Sequence, residues 1–332
     1  MGSHSFYPTR MLDLVIIGGG PSGINVAISA ARAGLDYVIL EKGVIANSLF
    51  HFPINMTFFS TSLKLEIQDT PFISQHDKPT RTEALEYYRR LVQNYRLNLH
   101  LYEPVEKMEP IPDGYRVDTD KGSYEARNVV VATGFYDTPR LMHIPGEDLP
   151  KVRHYYDDPH VYIGQRVLVV GAANSACDAA LECYRKGAEV TMAIRGEGIY
   201  DRVKYWIKPD IENRIKEGSI KAYFNTTTDE IRPREVVLGT PEGQVTIPND
   251  FVLAMTGYQP NYDLFERLGL AIAEDESCQP IFNPETLETT LPGVYMAGVA
   301  CAGRKTSKLF IENTRDHGDI IVDGITSKRQ PA

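Results

Sequence analysis

Cysteine is scarce in this 332-residue chain, with four residues (Cys177, Cys183, Cys278 and Cys301) and no CxxC among them. That scarcity excludes a disulfide-stapled framework and the paired-ligand spacing of a zinc site, so no metal is expected. Long apolar runs are missing too. No stretch approaches the roughly 18 residues of a membrane span, and the start shows no basic segment followed by an apolar signal core. These absences predict a cytoplasmic protein with no membrane partner. Positive charge is in deficit, with a net charge of -9 and a pI of about 5.5. No nucleic-acid partner is expected, and any small anion must be held by local groups. The remainder, 42% apolar and 24% charged, is an ordinary globular mixture long enough for two domains. Met1–Ser5 are set aside from fold reasoning.

Against those absences stand two turns of similar form. One is Gly18-Gly19-Gly20-Pro21-Ser22-Gly23, followed by Glu41; the other is Gly171-Ala172-Ala173-Asn174-Ser175-Ala176, followed by Arg195. Each sits in a βαβ pattern. Residues 12–17 are an apolar run ending in glycines, 24–32 a small-residue helix and 36–40 a second apolar run; the order recurs at 166–170, 175–185 and 189–194. The predicted fold class is α/β with two Rossmann-like dinucleotide-binding domains. Two junctions, Ala132-Thr133-Gly134-Phe135 and Met255-Thr256-Gly257-Tyr258, each end an apolar strand with proline close behind, and read as crossings between domains. The first domain is then discontinuous, 9–138 plus 260–332, with the second, 139–259, inserted in it. The C-terminal helix returns to the first nucleotide.

In the first turn Gly18 permits the tight bend, Gly20 lets the backbone approach a pyrophosphate, and Gly23 allows close helix–strand packing. The helix N-terminus presents unpaired N–H groups to the phosphates. Glu41, at the end of the second strand, accepts hydrogen bonds from ribose hydroxyls and repels a 2′-phosphate, so FAD or NAD fits and NADP does not. Late in the chain, Gly293-Val-Tyr-Met-Ala-Gly298-Val-Ala300 looks like the strand and turn that hold a flavin ribityl chain. In the second turn Ala173 takes the middle position, where its methyl keeps a pyrophosphate further from the backbone. Arg195 stands where NAD-binding chains carry an acid. A guanidinium there grips a 2′-phosphate bidentately, which favours NADPH over NADH. Arg202 and Lys204 either add to that grip or form a solvated basic stretch on a loop.

The succession GGGPSG, LEKG, FFSTS, VVATGFYDTP, IPGEDLPKVRHYYDD, VLVVGAANSACDAALE, AMTGYQPN, GVYMAGVACAG and FIENTRDHGD resembles the bacillithiol-disulfide reductase family of thioredoxin-reductase-like FAD/NADPH flavoproteins, over nearly the whole chain. The resemblance implies non-covalent FAD, NADPH as reductant, a low-molecular-weight thiol disulfide as acceptor, and a homodimer. Position by position it implies FAD contacts at Gly18, Gly20, Gly23, Glu41, Lys42, Asn47, Ser48, Thr133, Gly134, Gly298 and Val299, while the Ser22 hydroxyl is expected to hydrogen-bond a FAD phosphate. NADPH contacts are implied at Gly171, Asn174, Ser175, Arg195 and Lys204. The aromatic stretch from Leu49 to Ser60 would either flank the flavin or form a buried loop core. The Thr133-Gly134 and Thr256-Gly257 crossings are the expected hinges of a domain rotation.

Two departures limit the resemblance. Thioredoxin reductases carry a CxxC just before their second turn, where this chain reads His154-Tyr-Tyr-Asp-Asp-Pro-His160. A dithiol relay to thioredoxin is excluded, and proline beside adjacent aspartates marks an exposed turn rather than a metal site. Many bacillithiol-disulfide reductases carry a cysteine where Ser22 stands here, and a hydroxyl cannot form a mixed disulfide. Cys301, three residues after Gly298, is the thiol placed nearest the expected flavin edge and is the candidate redox cysteine; a buried apolar role is the alternative for it, as for the other three. The expected reaction passes hydride from NADPH to FAD and electrons onward to a low-molecular-weight disulfide or a small redox protein. A ferredoxin or flavodoxin reductase is the alternative, and a nucleotide-binding redox sensor with little turnover is the reading from another class. A flavin monooxygenase ranks behind both, because the FxGxxxHxxx(Y/W) run between the two turns is absent.

Overall fold

The computed structural model describes residues 10–329. Met1–Ser5, residue 9 and residues 330–332, the last four assigned above to the first domain, lie outside the described residues. The chain divides into two compact units. One runs up to Phe50, over Ser60–Thr138 and from Tyr258 on; the other takes His51–Phe59 and Pro139–Gly257. Two features differ from the sequence-based boundaries. Tyr258 and Gln259 fall in the first unit, and the nine-residue strap His51–Phe59 leaves it for the second.

In the first unit β1 (Leu12–Ile17) is an apolar run buried from Leu14 on. It leads through Gly20 into α1 (Pro21–Arg32), which begins three residues earlier than expected. Pro21 explains the earlier start: its fixed φ suits the first helical position and its missing N–H would be unpaired there anyway. β2 (Tyr37–Leu40) then pairs parallel to β1. After the short α2 (Asn47–Phe50) and α3 (Ser62–Leu65), α4 (Arg81–Asn94) opens on a capping box in which Thr80 and Glu83 each accept from the other's backbone N–H. β3 (Leu99–His100) extends the sheet beyond β2. The meander β4 (Val105–Ile111), β5 (Gly114–Thr119) and β6 (Ser123–Val131) brings β6 back parallel to β1.

β7 (Thr138–Pro139) leads into the second unit, where β8 (Val152–Arg153), β9 (Arg166–Val170), α5 (Asn174–Arg185), β10 (Glu189–Ala193), α6 (Lys208–Lys216) and β11 (Lys221–Tyr223) follow. β12 (Thr227–Ile231), β13 (Glu235–Thr240) and β14 (Gly243–Pro248) form a separate antiparallel ribbon. β15 (Phe251–Ala254) then completes a parallel sheet in the order β11-β10-β9-β15-β8. Val169, Cys177, Ala180, Cys183, Met192 and Ile194 fill the core on its α5 side. The strap is tied down within this unit: Ile54 N donates to Asp157 O at 3.1 Å, and the Phe59 ring stacks on Trp206 with centroids 5.8 Å apart.

The chain leaves through β16 (Tyr258–Gln259), which pairs with β7, and α7 (Tyr262–Arg267). β17 (Val294–Met296) adds to the first sheet parallel to β6, and α8 (His317–Ser327) packs along α1. Among the described residues no helix is long and apolar enough to cross a membrane.

Candidate dinucleotide sites

Four parallel strands of the first unit, β1, β2, β6 and β17, end side by side and carry Gly18, Glu41, Thr133-Gly134 and Gly298-Val299 at those ends. In an open α/β sheet this carboxyl edge is where ligands bind. Gly18 has φ +111°, and a Cβ there would lie 2.6 Å from the Ala132 carbonyl oxygen. A Cβ on Gly23 would lie 1.9 Å from the Gly18 oxygen, so helix and turn touch backbone to backbone. At Gly20 nothing stands within 4 Å of the Cβ direction. The space beside the N-terminus of α1 is therefore open, as an incoming phosphate requires.

Glu41 is 5% exposed, and its carboxylate accepts from Gly19 N at 2.7 Å and Gly43 N at 2.8 Å. Burial pushes its pKa up, against the two N–H bonds, which favour the charged form. Thr133 Oγ1 is buried with no hydrogen-bond partner. A buried hydroxyl left unpaired costs ~1–3 kcal/mol, so this atom at a strand end fits a group that the protein itself does not supply. Ser22 faces Gly298, where a Cβ would lie 2.0 Å from Ser22 Oγ. Gly134 (φ +68°) faces Val299, whose Cγ2 is 3.9 Å from its Cβ direction. Ala46 N donates to Gly19 O at 3.0 Å, which anchors Asn47 and Ser48 just behind the turn. Lys42 lies further out, paired with Asp137 at 2.8 Å.

The second turn repeats the backbone of the first. Gly171 has φ +128°, and its Cβ would lie 2.7 Å from the Met255 oxygen, as Gly18 meets Ala132. Ala173 caps α5 at φ -95°, ψ -174°, close to the -82°, -174° of Gly20. Arg195 is exposed just beyond β10. Asn174 Oδ1 accepts from Lys204 N at 2.9 Å, so this side chain positions the 200–207 loop, while Ser175 is exposed. Lys204 Nζ pairs with Asp178 at 2.8 Å and lies 5.9 Å from the Trp206 ring centroid. Its charge is committed to Asp178, one helical turn beyond Asn174, whereas Arg195 and Arg202 are exposed.

Cys301 is 1% exposed, packed with Val131, Met296 and Ala300, and burial pushes its thiol up to about 12. A buried protonated thiol is a poor nucleophile, so this geometry favours the buried apolar role for Cys301 over the redox one. The Gly298–Ala302 turn is a 3-10 helix that points Cys301 into the core. Cys177 and Cys183 are likewise buried, with thiols pushed up to about 12 by burial, then by Asp178 and Glu182 respectively. Cys278 alone is partly accessible. One residue was missed: His317 accepts from Gly298 N through Nδ1 at 3.0 Å. No periodicity or spacing marks it; it stands out only within the FIENTRDHGD run.

A family model described as pyridine nucleotide-disulphide oxidoreductase matches residues 15–298, which hold both turns and the strands that flank them. The chain belongs to the pyridine nucleotide-disulphide oxidoreductases. Within that family it is 42% identical over 316 residues to bacilliredoxin reductase Bdr of Bacillus subtilis (strain 168), across 95% of this chain and 97% of that protein. The structure of bacillithiol disulfide reductase Bdr (YpdA) from Staphylococcus aureus matches with a TM-score of 0.94 at 38% identity, over 97% of this chain and all of that one (100%). Its counterpart from Bacillus cereus gives 0.93 at 39%, over 96% and 100%. As a member of this pyridine nucleotide-disulphide oxidoreductase family, the chain is an oxidoreductase of the thioredoxin-reductase-like flavoenzyme class, dependent on FAD and NADPH.

Proposed function

We propose that this oxidoreductase binds NADPH at the second turn and FAD at the first, and reduces a low-molecular-weight thiol disulfide of the bacillithiol-disulfide type. The observation that carries the assignment is the pair of side chains at equivalent strand ends, a buried carboxylate at Glu41 and an exposed guanidinium at Arg195. When bound, FAD supplies the two-electron chemistry, taking hydride from NADPH and passing electrons on. The chain's own groups bind and orient. The N–H groups opening α1 hold the pyrophosphate beside Gly20, and Glu41 accepts from the adenosine ribose. Thr133 Oγ1 gains the partner it lacks, and Arg195 grips the 2′-phosphate of NADPH. Lys42, Asn47, Ser48, Gly134 and Val299 complete the FAD surroundings; Gly171, Asn174 and Ser175 complete those of NADPH, with Lys204 acting through the loop it braces. Gly134 and Gly257, with φ +68° and +96°, are the hinges.

The acceptor is supported by the relatives, two of which are described as bacillithiol disulfide reductases. With Ser22 in the first turn and Cys301 buried, neither position offers an accessible thiol to relay the electrons. That same lack favours a second reading in which the acceptor is a small redox protein carrying its own thiols, as the description of the Bacillus subtilis relative, a bacilliredoxin reductase, suggests. The homodimer rests on the family resemblance, and the cytoplasmic location on the sequence reading given above. Anaerobic reoxidation of the NADPH-reduced protein by bacillithiol disulfide, glutathione disulfide, a bacilliredoxin mixed disulfide, ferredoxin, flavodoxin and oxygen tests the acceptor. Fastest reoxidation by bacillithiol disulfide is expected. Fastest reoxidation by the bacilliredoxin moves the assignment to the second reading, and fastest reoxidation by ferredoxin or flavodoxin overturns both.

A further inference from the structure

Three chain segments meet at Gly298, and the side chain at their meeting point has no role in the function proposed above. Gly298 follows β17 with φ +76°, pressed against Ser22 so closely that any side chain is excluded. Its N–H donates to His317 Nδ1 at 3.0 Å. A backbone N–H only donates, so Nδ1 is the unprotonated nitrogen and the ring is the neutral tautomer with its proton on Nε2. Burial acts in the same direction, pushing His317 below the usual imidazole range against the pull of Asp316. Nε2 has no hydrogen-bond partner among the described residues.

The ring is also held from both sides along α8. Asn25 Nδ2 donates to Arg315 O at 2.5 Å, and Ser29 Oγ donates to Asp319 Oδ1 at 2.6 Å. Gln68 Nε2 donates to Asn25 Oδ1 and Ser29 Oγ, both at 2.8 Å. Gly318 sits so close to α1 that a Cβ would lie 2.3 Å from Asn25 Oδ1. Sliding α8 along α1 would strand several of these buried polar groups, so the imidazole is fixed in place as well as in tautomer.

We propose that His317, fixed by the Gly298 N–H with its proton on Nε2, presents a hydrogen-bond donor to the flavin and so stabilises the negative charge that two-electron reduction places on the ring. The inference rests on the reading of the first turn as the FAD site. Its test is the midpoint potential of FAD in the holoprotein for wild type, His317→Asn and His317→Gln. Asparagine keeps an acceptor near Nδ1 for the Gly298 N–H and does not reach Nε2; glutamine carries an amide N–H to the Nε2 position. The Asn variant should disfavour reduction about tenfold, which is about 30 mV for a two-electron couple, and the Gln variant should recover most of that. An Asn variant with wild-type potential overturns the proposal, as does a Gln variant displaced as far as the Asn one. Wild-type protein that purifies colourless and takes up no added FAD refutes the FAD reading instead, and absorbance distinguishes that case before any potential is measured.

Discussion

The two turns share a backbone and differ in everything attached to it. In both, the first glycine has a strongly positive φ and abuts the carbonyl of the residue just past a neighbouring strand, at 2.6 Å in one and 2.7 Å in the other from where a Cβ would stand. In both, the helix is capped by a residue of nearly the same φ and ψ. The first turn then buries an acid and locks it with two backbone N–H groups, whereas the second displays a base in the open. On the function proposed above, the strand–turn–helix is a scaffold for a pyrophosphate, and the residue at the end of the following strand selects the nucleotide. A buried, pre-bonded selector suits a resident cofactor, and an exposed one suits a substrate that must come and go.

Four substitutions or measurements sharpen that contrast. Glu41→Ala should have the largest effect, because it leaves the Gly19 and Gly43 N–H groups unpaired in a buried place. A loss of ~2–4 kcal/mol in denaturant unfolding and a protein purified nearly free of flavin are expected. Full flavin occupancy would remove Glu41 from the site. Arg195→Ala should unfold like wild type, since its side chain is exposed, yet weaken NADPH ~10–100-fold in a direct titration while leaving NADH unchanged. Lys204→Met should reduce NADPH affinity less, in step with a loss of ~0.5–1 kcal/mol for its ion pair with Asp178. A loss as large as that of Arg195→Ala would show Lys204 on the phosphate itself. The smallest change is expected at the thiols. With Cys177, Cys183 and Cys301 protonated up to about pH 12, iodoacetamide at pH 8 should label Cys278 alone, as read by mass spectrometry, and leave NADPH oxidation untouched. Labelling of Cys301 in the folded protein would return it to the chemistry.

Much of this arrangement was legible in the sequence, for identifiable reasons. β1 and β9 match their predicted limits to the residue, because parallel strands buried on both faces read as near-continuous apolar runs. Helix starts were less legible: α1 begins at Pro21 rather than residue 24, since cap residues carry no hydrophobic period. The strap His51–Phe59 was illegible, as its place depends on Asp157 and Trp206, more than a hundred residues away. The burial of Cys301 was not legible from its closeness to Gly298 in sequence, because one short 3-10 turn carries it into the core. Lys204 looked free because its partner Asp178 lies on another element, although Asp178 shares a face of α5 with Asn174.

The unequal roles of the two turns meet in one experiment, anaerobic bleaching of the flavin absorbance by NADPH and by NADH, in wild type and in Arg195→Ala. Wild type should bleach faster with NADPH, and the variant should lose that advantage while its NADH rate and flavin content stay unchanged. Equal rates with the two nucleotides in wild type, or an NADPH preference that survives the substitution, would contradict the account.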